Sequence, residues 1–335
     1  MKTALCNRLG IAVPIIQAPM GGAVGPALAA AVSNAGALGM LVPWRAPIEI
    51  VRMQIRETRA LTSRPFGVNL NLEFPQEERL EVCLEEGVRV ISFFWRENPD
   101  LVARARAGGA AVLHTVGSAA AARRMADAGV DVIVAQGWEA GGHVRGTVAT
   151  MPLVPAVVDA VAPVPVVAAG GVADGRGLAA ALALGAGGVW IGTRFLASEE
   201  AAIHPQYRTR LLQACEDDTV FLPDLFGVQW PNAPHRVLKN STIEAWEAAG
   251  RPPNGSRPGE GDVIGTAPTG RPVVRYQSYT ASTGTEGDID AMSLWAGQTV
   301  GLVSKVQPAG EIVREIVTEA EVILQRLCDQ PMIKS

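Results

Sequence analysis

The chain has little charge, few aromatic residues and few cysteines. Only 19% of its 335 residues are charged, 5% are aromatic, and the formal net charge is −4. No basic run with interleaved aromatic residues occurs, so the sequence gives no indication of nucleic-acid binding. The four cysteines, Cys6, Cys83, Cys215 and Cys328, form no CxxC pair, which excludes a zinc knuckle or a dithiol redox motif. Scattered thiols are typical of a reducing cytoplasm, where we expect the protein to be located.

The chain also lacks an uninterrupted apolar run long enough to span a membrane. No charged residue occurs between Arg8 and Arg45, and a signal peptide or membrane span is the alternative to consider there. Pro14, Pro19 and Gly21 interrupt this stretch, so it contains no apolar helix of about 18 residues. We interpret it as a buried strand, a glycine turn and a helix, and we expect no membrane partner.

What the sequence does contain is a repeated pattern of helix, glycine and strand. At Gly129–Val132, for example, a glycine suited to a positive φ ends a helix and a strand follows at once. Strands are predicted at about 15–18, 37–42, 66–70, 88–94, 111–116, 131–135, 164–169 and 188–191. Helices are predicted between them, among others at 26–35, 77–86, 119–128 and 178–184.

Eight such units predict an α/β fold of the TIM (β/α)8 barrel type. An open, doubly wound sheet is the alternative. The first turn between strand and helix, Pro19–Gly25, does not fit the GxGxxG pattern of dinucleotide-binding sheets, which weighs against that alternative.

The composition changes after Cys215. Residues 216–290 contain eight prolines and nine glycines, too many for regular elements throughout, and one short helix is predicted at about Ser241–Ala249. Helices are also predicted at about Ile289–Val300 and Pro308–Cys328, and the apolar stripe of the second should dock on the barrel. The predicted parts are a barrel over 1–215, an insertion that forms a lid or small substrate subdomain over 216–290, and C-terminal helices over 291–335.

Two glycine turns follow the last two predicted strands. Gly170-Gly171 follows the seventh strand and Gly192-Thr193 follows the eighth, and both lead into helical sequence. Amide groups at such turns bind phosphate, and TIM barrels commonly place phosphate groups after strands 7 and 8. The turns therefore predict a phosphate-bearing cofactor, and Asp174 is the predicted N-cap of the helix that follows the first of them.

Polar groups at other strand ends could hold the edge of a flat heterocycle. The candidates are Met20, Asn69 and Gln136, although a core methionine and a strand-end cap are equally reasonable interpretations of the first two. The strong acid–base candidate is His143, in the Gly141-Gly142-His143 turn after the sixth strand.

The other histidines are weaker candidates. His114 could contact the cofactor or support the site, whereas His204 and His235 are expected to be structural or exposed. Glu139 is expected to bond within its turn or to be solvated. No Ser-His-Asp order, HExxH motif or carboxylate cluster occurs, so we expect neither a hydrolytic mechanism nor a metal site.

Taken together, five segments resemble the nitronate monooxygenase family, formerly called 2-nitropropane dioxygenases. They are Gln17–Met20, Glu139–His143, Ala168–Arg176, Gly192–Phe195 and Trp295–Gln298. The family consists of FMN-dependent TIM-barrel flavoenzymes. FMN-dependent enoyl-acyl-carrier-protein reductases share the Gly-Gly-His turn and the phosphate turns, and so do some NADH:quinone reductases.

The resemblance implies a role for each matching residue. It assigns Gly170, Gly171, Gly192 and Thr193 to the FMN phosphate, assigns Ala18, Pro19, Met20, Asn69 and Gln136 to the flavin ring, and adds Gly21, Gly141 and Gly142 as cofactor contacts. It makes His143 the catalytic base or the partner of an anionic substrate. Trp295 stands where a tyrosine is commoner in the family, and Gln298 is expected to reach the cofactor region.

The function implied is oxidation of an alkyl nitronate or nitroalkane, such as propionate 3-nitronate, by O2 to a carbonyl compound and nitrite. An NAD(P)H-dependent reductase of a quinone or an enoyl thioester is the first alternative. A phosphate-binding barrel without redox chemistry is the second. We expect a monomer or a homodimer.

Overall fold

The computed structural model describes residues 1–329, and a barrel of eight parallel strands lies at its centre. The barrel strands are β1 (Ile15–Gln17), β2 (Gly39–Leu41), β3 (Phe66–Asn71), β4 (Val90–Phe94), β5 (Ala111–Val116), β6 (Val132–Gln136), β7 (Val166–Ala169) and β8 (Gly188–Ile191). They pair in the order β1-β8-β7-β6-β5-β4-β3-β2, and a parallel bridge between Ile16 and Leu38 closes β1 onto β2. The predicted TIM barrel is confirmed, and the open sheet is excluded.

Helices alternate with the strands along the chain. They are α1 (Ala4–Leu9), α2 (Pro26–Asn34), α3 (Ile48–Leu61), α4 (Glu77–Glu85), α5 (Pro99–Ala107), α6 (Ala119–Asp127), α7 (Thr150–Val161), α8 (Gly175–Ala183), α9 (Thr193–Leu196) and α10 (Pro205–Gln213). The helices predicted between barrel strands at 26–35, 77–86, 119–128 and 178–184 correspond to α2, α4, α6 and α8.

Side chains of the barrel strands alternate between the barrel interior and the helix layer. In β6, Val132 and Val134 belong to the interior cluster, whereas Ile133 and Ala135 pack in the layer between strands and helices. Leu5 of α1 also belongs to the interior cluster, so α1 covers the N-terminal end of the barrel. The interior is a packed core, and the space for a ligand lies at the C-terminal end.

Residues 216–290 form two small antiparallel sheets and a helix. The elements are a 3₁₀ helix (Glu216–Asp218), strands Thr219–Leu222 and His235–Leu238, α11 (Ser241–Ala248), and strands Val263–Thr266, Pro272–Val274 and Glu286–Gly287. The strand His235–Leu238 pairs on one side with Thr219–Leu222 and on the other with a two-residue strand, Gly142–His143. The insertion therefore forms a sheet with the Gly-Gly-His turn. The division of the chain into three parts stays a prediction.

The predicted helix Ile289–Val300 is wrong. The segment contains two 3₁₀ turns, Ile289–Ala291 and Gln298–Leu302, with extended backbone between them. In that extended part the amide of Leu238 donates to the carbonyl of Leu294 at 2.8 Å. Pairing with the insertion replaces the hydrogen bonds of a helix, so tertiary contact overrides local propensity here.

The last helix, α12 (Ala309–Asp329), confirms the second predicted C-terminal helix. Ile316 and Ala320 are buried where α12 contacts α2 and α8, but Leu327, predicted for the same stripe, is 55% exposed. A Cβ atom on Gly175 would lie 2.4 Å from the amide nitrogen of Ala320, so a glycine is needed at this contact. Residues 330–335 of the predicted C-terminal part lie outside the described residues. Within residues 1–329, no helix combines the length and the apolarity needed to cross a bilayer.

Candidate functional site

All the predicted site residues line one cavity of about 410 Å³ at the C-terminal end of the barrel. They are Ala18, Pro19, Met20 and Gly21 after β1, Asn69 in β3, Gln136, Gly141, Gly142 and His143 at the end of β6 and beyond, Gly170 and Gly171 after β7, and Gly192 and Thr193 after β8. The carboxyl ends of the parallel strands converge at this end, so residues far apart in the sequence meet. The volume lies in the range of cofactor and ligand pockets.

Glycine turns with unengaged amide groups form one part of the cavity. Gly170 and Gly171 have φ values of +89° and +71°, which favour glycine because a side chain would be strained there. In the described part of the chain, the amides of Gly171, Val172, Thr193 and Arg194 donate to no other protein group. Such converging donors suit a phosphate group.

Two side chains of these turns make internal hydrogen bonds. The carboxylate of Asp174 accepts from the amides of Arg176 and Gly177 at 3.0 and 3.3 Å, which confirms it as the N-cap of α8. The hydroxyl of Thr193 accepts from the amide of Gly297 at 3.0 Å. It therefore fastens the late Trp-Ala-Gly-Gln segment to the turn after β8.

The expectation for Gln298 is wrong. Its side chain is exposed and does not line the cavity, and its amide donates to the carbonyl of Glu139 at 3.1 Å. The neighbouring Gly297 and Thr299 line the cavity instead. The segment acts here through its backbone, which fixes the start of the Gly-Gly-His turn.

Amide side chains lie where the ring of a cofactor was predicted. Gln136 Nε2 donates to the carbonyl of His143 at 3.0 Å, while its Oε1 is buried without a partner among the described residues. Asn69 Nδ2 donates to Ser92 Oγ at 2.6 Å. A buried acceptor without a donor costs about 1–3 kcal/mol, so Gln136 Oε1 suits an N–H group at the edge of a flat ring. Amide donors for a phosphate and an acceptor for a ring N–H together fit FMN.

His143 lies against a wall of aromatic rings. Its ring stacks on Trp230 with 3.8 Å between centroids, and the ring of Trp295 is 5.0 Å away. Its Nε2 has no hydrogen-bond partner among the described residues. Burial first, then the neighbouring His235 and Arg45, lower the pKa of His143 well below its usual value. The ring is therefore neutral at pH 7, which is the form that accepts a proton.

His235 supports His143 and does not face the cavity. The two residues are paired across the antiparallel strands, and their ring centroids are 5.7 Å apart. The amide of Phe226 donates to His235 Nε2 at 3.3 Å, so the ring proton is on Nδ1, which donates to the carbonyl of Ala233 at 2.8 Å. Burial lowers the pKa of His235 to about 4, and both nitrogens of the neutral ring are engaged.

The remaining predicted candidates have structural roles. Both ring nitrogens of His114 lie 3.0 Å from backbone carbonyls, and the residue does not line the cavity. His204 caps α10, since its Nδ1 accepts a backbone amide at 3.1 Å. Glu139 lines the cavity, and its carboxylate accepts from the amide of Thr150 at 3.1 Å, so it bonds to the first residue of α7 and not within its own turn.

Sequence analysis missed the aromatic wall of the cavity. Trp44, Phe94 and Trp230 line it together with Trp295, and of these only Trp295 had been singled out in the sequence. Each of the four comes from a different segment. No local pattern connects these segments. The one available signal for an aromatic site was the composition, because seven of the few aromatic residues are tryptophans. Arg45, which also lines the cavity, was missed for the same reason.

Comparisons with known proteins agree with the barrel fold, and the matched residues include those that line the cavity. A family model described as nitronate monooxygenase matches residues 2–78 and 71–319. A hydroxy-methyl-oxo-octahydroindene carboxyl-CoA dehydrogenase of Mycobacterium tuberculosis is 41% identical over 75% of this chain and 70% of its own. A nitronate monooxygenase of Paraburkholderia phytofirmans is 32% identical over 97% of each chain. Among solved structures, FabK from Thermotoga maritima has a TM-score of 0.82 and 33% identity, over 98% of this chain and 99% of that one.

Proposed function

Because the chain belongs to the nitronate monooxygenase family, we propose that it is an FMN-dependent enzyme that oxidises alkyl nitronates or nitroalkanes with O2. Family membership makes the protein an oxidoreductase. The proposed products are a carbonyl compound and nitrite, and the proposed location is the cytoplasm. The observation that supports this best is a neutral His143 beside a cavity in which the amides of two glycine turns lie unengaged.

The proposed cofactor would be held mainly by backbone groups. Gly170, Gly171, Gly192 and Thr193 would bind the phosphate through the turns after β7 and β8. The ring would lie against Ala18, Pro19, Met20, Asn69 and Gln136, with Gly21, Gly141 and Gly142 as further contacts. When bound, FMN supplies the redox capacity by accepting the electrons of the substrate and passing them to O2.

His143 would act on the substrate in one of two protonation states. With a nitroalkane, the neutral imidazole takes the proton from the carbon next to the nitro group, and the resulting imidazolium pairs with the nitronate oxygens. With a nitronate, the anion itself favours the charged imidazole, because an opposite charge at close range raises the pKa of a histidine. The stacked ring of Trp230 and the bond from Gln136 to the His143 carbonyl fix the position of this base.

An NAD(P)H-dependent reductase of an enoyl thioester or a quinone is the second candidate. Two observations favour it: the 41% identity to a carboxyl-CoA dehydrogenase, and an aromatic wall that offers more apolar surface than a short nitronate needs. The chemistry at His143 would be related, because the α-carbon of a thioester is also a weak carbon acid.

An anaerobic spectroscopic experiment separates the two candidates. The purified protein, loaded with FMN, is mixed under nitrogen with NADH or with a nitronate, and flavin absorbance is followed. We expect bleaching by the nitronate, followed by nitrite release when O2 is admitted. Rapid bleaching by NADH alone would replace the first candidate with the second. Failure to take up FMN at all would contradict both and leave a barrel that binds another phosphate compound.

A further inference from the structure

We infer that Arg45 determines substrate specificity: at the mouth of the cavity it binds an anionic group, a carboxylate or a phosphate, that the substrate carries away from its reacting carbon. This inference rests on the proposed function, because it concerns the substrate of the same site. It concerns the part of the substrate that does not react.

Arg45 is held in place before any ligand binds. Its guanidinium carbon lies 4.7 Å from the ring centre of Trp44 and 4.5 Å from that of Phe74. Its Nη2 donates to the carbonyl of Gln229 at 2.8 Å and its Nη1 to the side-chain oxygen of the same residue at 3.4 Å, which ties the loop after β2 to the loop that carries Trp230. A guanidinium stacked on aromatic faces keeps N–H groups along its edge, and an ordered arginine loses little side-chain freedom on binding.

The charge of Arg45 is not balanced by the protein around it. Among the described residues, no carboxylate lies within 4.0 Å of its nitrogens. Glu139 is the one carboxylate among the lining residues in the described chain, and it is engaged by the amide of Thr150. The charge of Arg45 reaches the reacting end of the cavity, since it helps to lower the pKa of His143.

The surface between His143 and Arg45 is apolar. Trp230 stacks on His143, and its ring centre is 5.7 Å from that of Trp44, on which Arg45 lies. A molecule whose reacting carbon is at His143 therefore passes along two indole rings before it meets the guanidinium. The matching substrate has an acidic carbon, an apolar spacer and a terminal anion. Two sources have this chemistry: a nitronate with a remote carboxylate, and a thioester with a phosphate-bearing carrier.

A binding experiment tests the inference without turnover. FMN-loaded protein is titrated with hexanoate and with hexanamide, which differ in charge but not in length, and tryptophan fluorescence is followed because Trp44 and Trp230 line the cavity. We expect hexanoate to bind about tenfold more tightly, as a charge-assisted hydrogen bond at a partly exposed site allows. Arg45→Met should bring the two affinities together, and Arg45→Lys should restore part of the difference.

The ratio of the two affinities separates charge from structure. Loss of the bond to Gln229 alone would weaken both ligands equally and leave the ratio unchanged. Arg64→Met, at an exposed arginine on the opposite end of the barrel, is the matched control and should keep the ratio. Equal affinities in the wild-type protein, or a preference that persists in Arg45→Met, would overturn the inference.

Turnover of matched pairs identifies the source of the anion. The first pair is the nitronates of 6-nitrohexanoate and of 1-nitrohexane, which differ in the terminal carboxylate; the second is crotonyl-CoA and its N-acetylcysteamine thioester, with NADH. Within one pair, the kcat/KM of the anionic compound divided by that of its partner should fall about tenfold in Arg45→Met. The pair that shows this fall identifies the source of the anion. An unchanged ratio in any pair that is turned over counts against that source, and unchanged ratios in both pairs overturn the inference. If none of the four compounds reacts, the proposed function fails, while the titration still decides the role of Arg45.

Discussion

The two ends of the barrel carry different kinds of charge. The C-terminal end has glycine turns, aromatic rings and unengaged amides, with Arg45 as the one cation lining its cavity in the described chain. The N-terminal end has a groove lined by Arg8, Arg59, Arg64, Arg89 and Arg106.

The direction of the helices explains this difference. Helix N-termini meet at the C-terminal end of the barrel, so backbone dipoles there already attract anions. Helix C-termini meet at the other end, where Arg59 donates to the carbonyl of Glu86 after α4. Cations at that end match the helix dipoles, whereas only Glu139 and Arg45 carry charge among the residues of the described chain that line the cavity.

Replacement of His143 should give the largest effect, and the effect should fall on the rate and not on FMN binding. His143→Ala is expected to lower kcat by about 10²- to 10⁴-fold, the usual contribution of a general base, while FMN stays bound. Initial rates with a nitroalkane and the visible spectrum of the variant check both parts. His204→Asn, which can keep the cap of α10, is the matched control. Full activity of His143→Ala with FMN bound would remove its assignment as the base.

The second effect is a loss of stability in acid that originates at the reactive end. The folded pKa of His235, about 4, lies below the unfolded value near 6.5, so the unfolded chain takes up the proton first as pH falls. The free energy of unfolding should decrease by about 2 kcal/mol from this group between pH 7 and pH 5. Buried His143 and His114 contribute in the same direction.

Urea unfolding at the two pH values measures this loss. His235→Gln should be less stable at pH 7 and should show a difference between the two pH values that is smaller by about 2 kcal/mol. Equal differences in variant and wild-type protein would mean that His235 is not the group that titrates.

The smallest effect is a loss of stability expected at the N-terminal end of the barrel, and the activity should not change. Asp131 forms an ion pair with Arg8, lies 3.8 Å from Arg106 and accepts from the amide of Val112 at 2.8 Å. Asp131→Asn should lower the free energy of unfolding by about 1–2 kcal/mol, since both arginines are half exposed, with kcat and FMN content unchanged. A thermal melt and a rate assay check the prediction. A loss of activity with normal stability would contradict the division of roles between the two ends.

The features that the sequence predicted are those with a local cause. Each barrel strand is a short, largely apolar run, and several, such as β5 and β6, begin shortly after a glycine. The order of the strands places the turns at Gly170-Gly171 and Gly192-Thr193 after the seventh and eighth strands. Counting strands therefore located the cavity, because the carboxyl ends of parallel strands must meet. All the predicted site residues line it, although their contacts with a ligand stay predictions.

The features that were missed depend on distant pairing. Trp230 contacts His143 because the neighbouring strand His235–Leu238 pairs with the Gly-Gly-His turn. No residue pattern near Trp230 predicts that pairing. The error at 289–300 has the same origin, because an apolar segment with helical spacing became extended on meeting Leu238. Composition and periodicity contain no information about which strand edge a segment will find.

The pairing of His235 with His143 also sets a rule for how the insertion can change in length. A strand presents alternate side chains to opposite faces, so adding or deleting one residue within His235–Leu238 would exchange the faces of the strand residues beyond the change. The loop 249–262, between α11 and the next strand, belongs to no strand and has no register to keep. Lineages derived from this chain should therefore vary in length in that loop and keep the length of the strand, and grafting a new specificity should begin in the same loop.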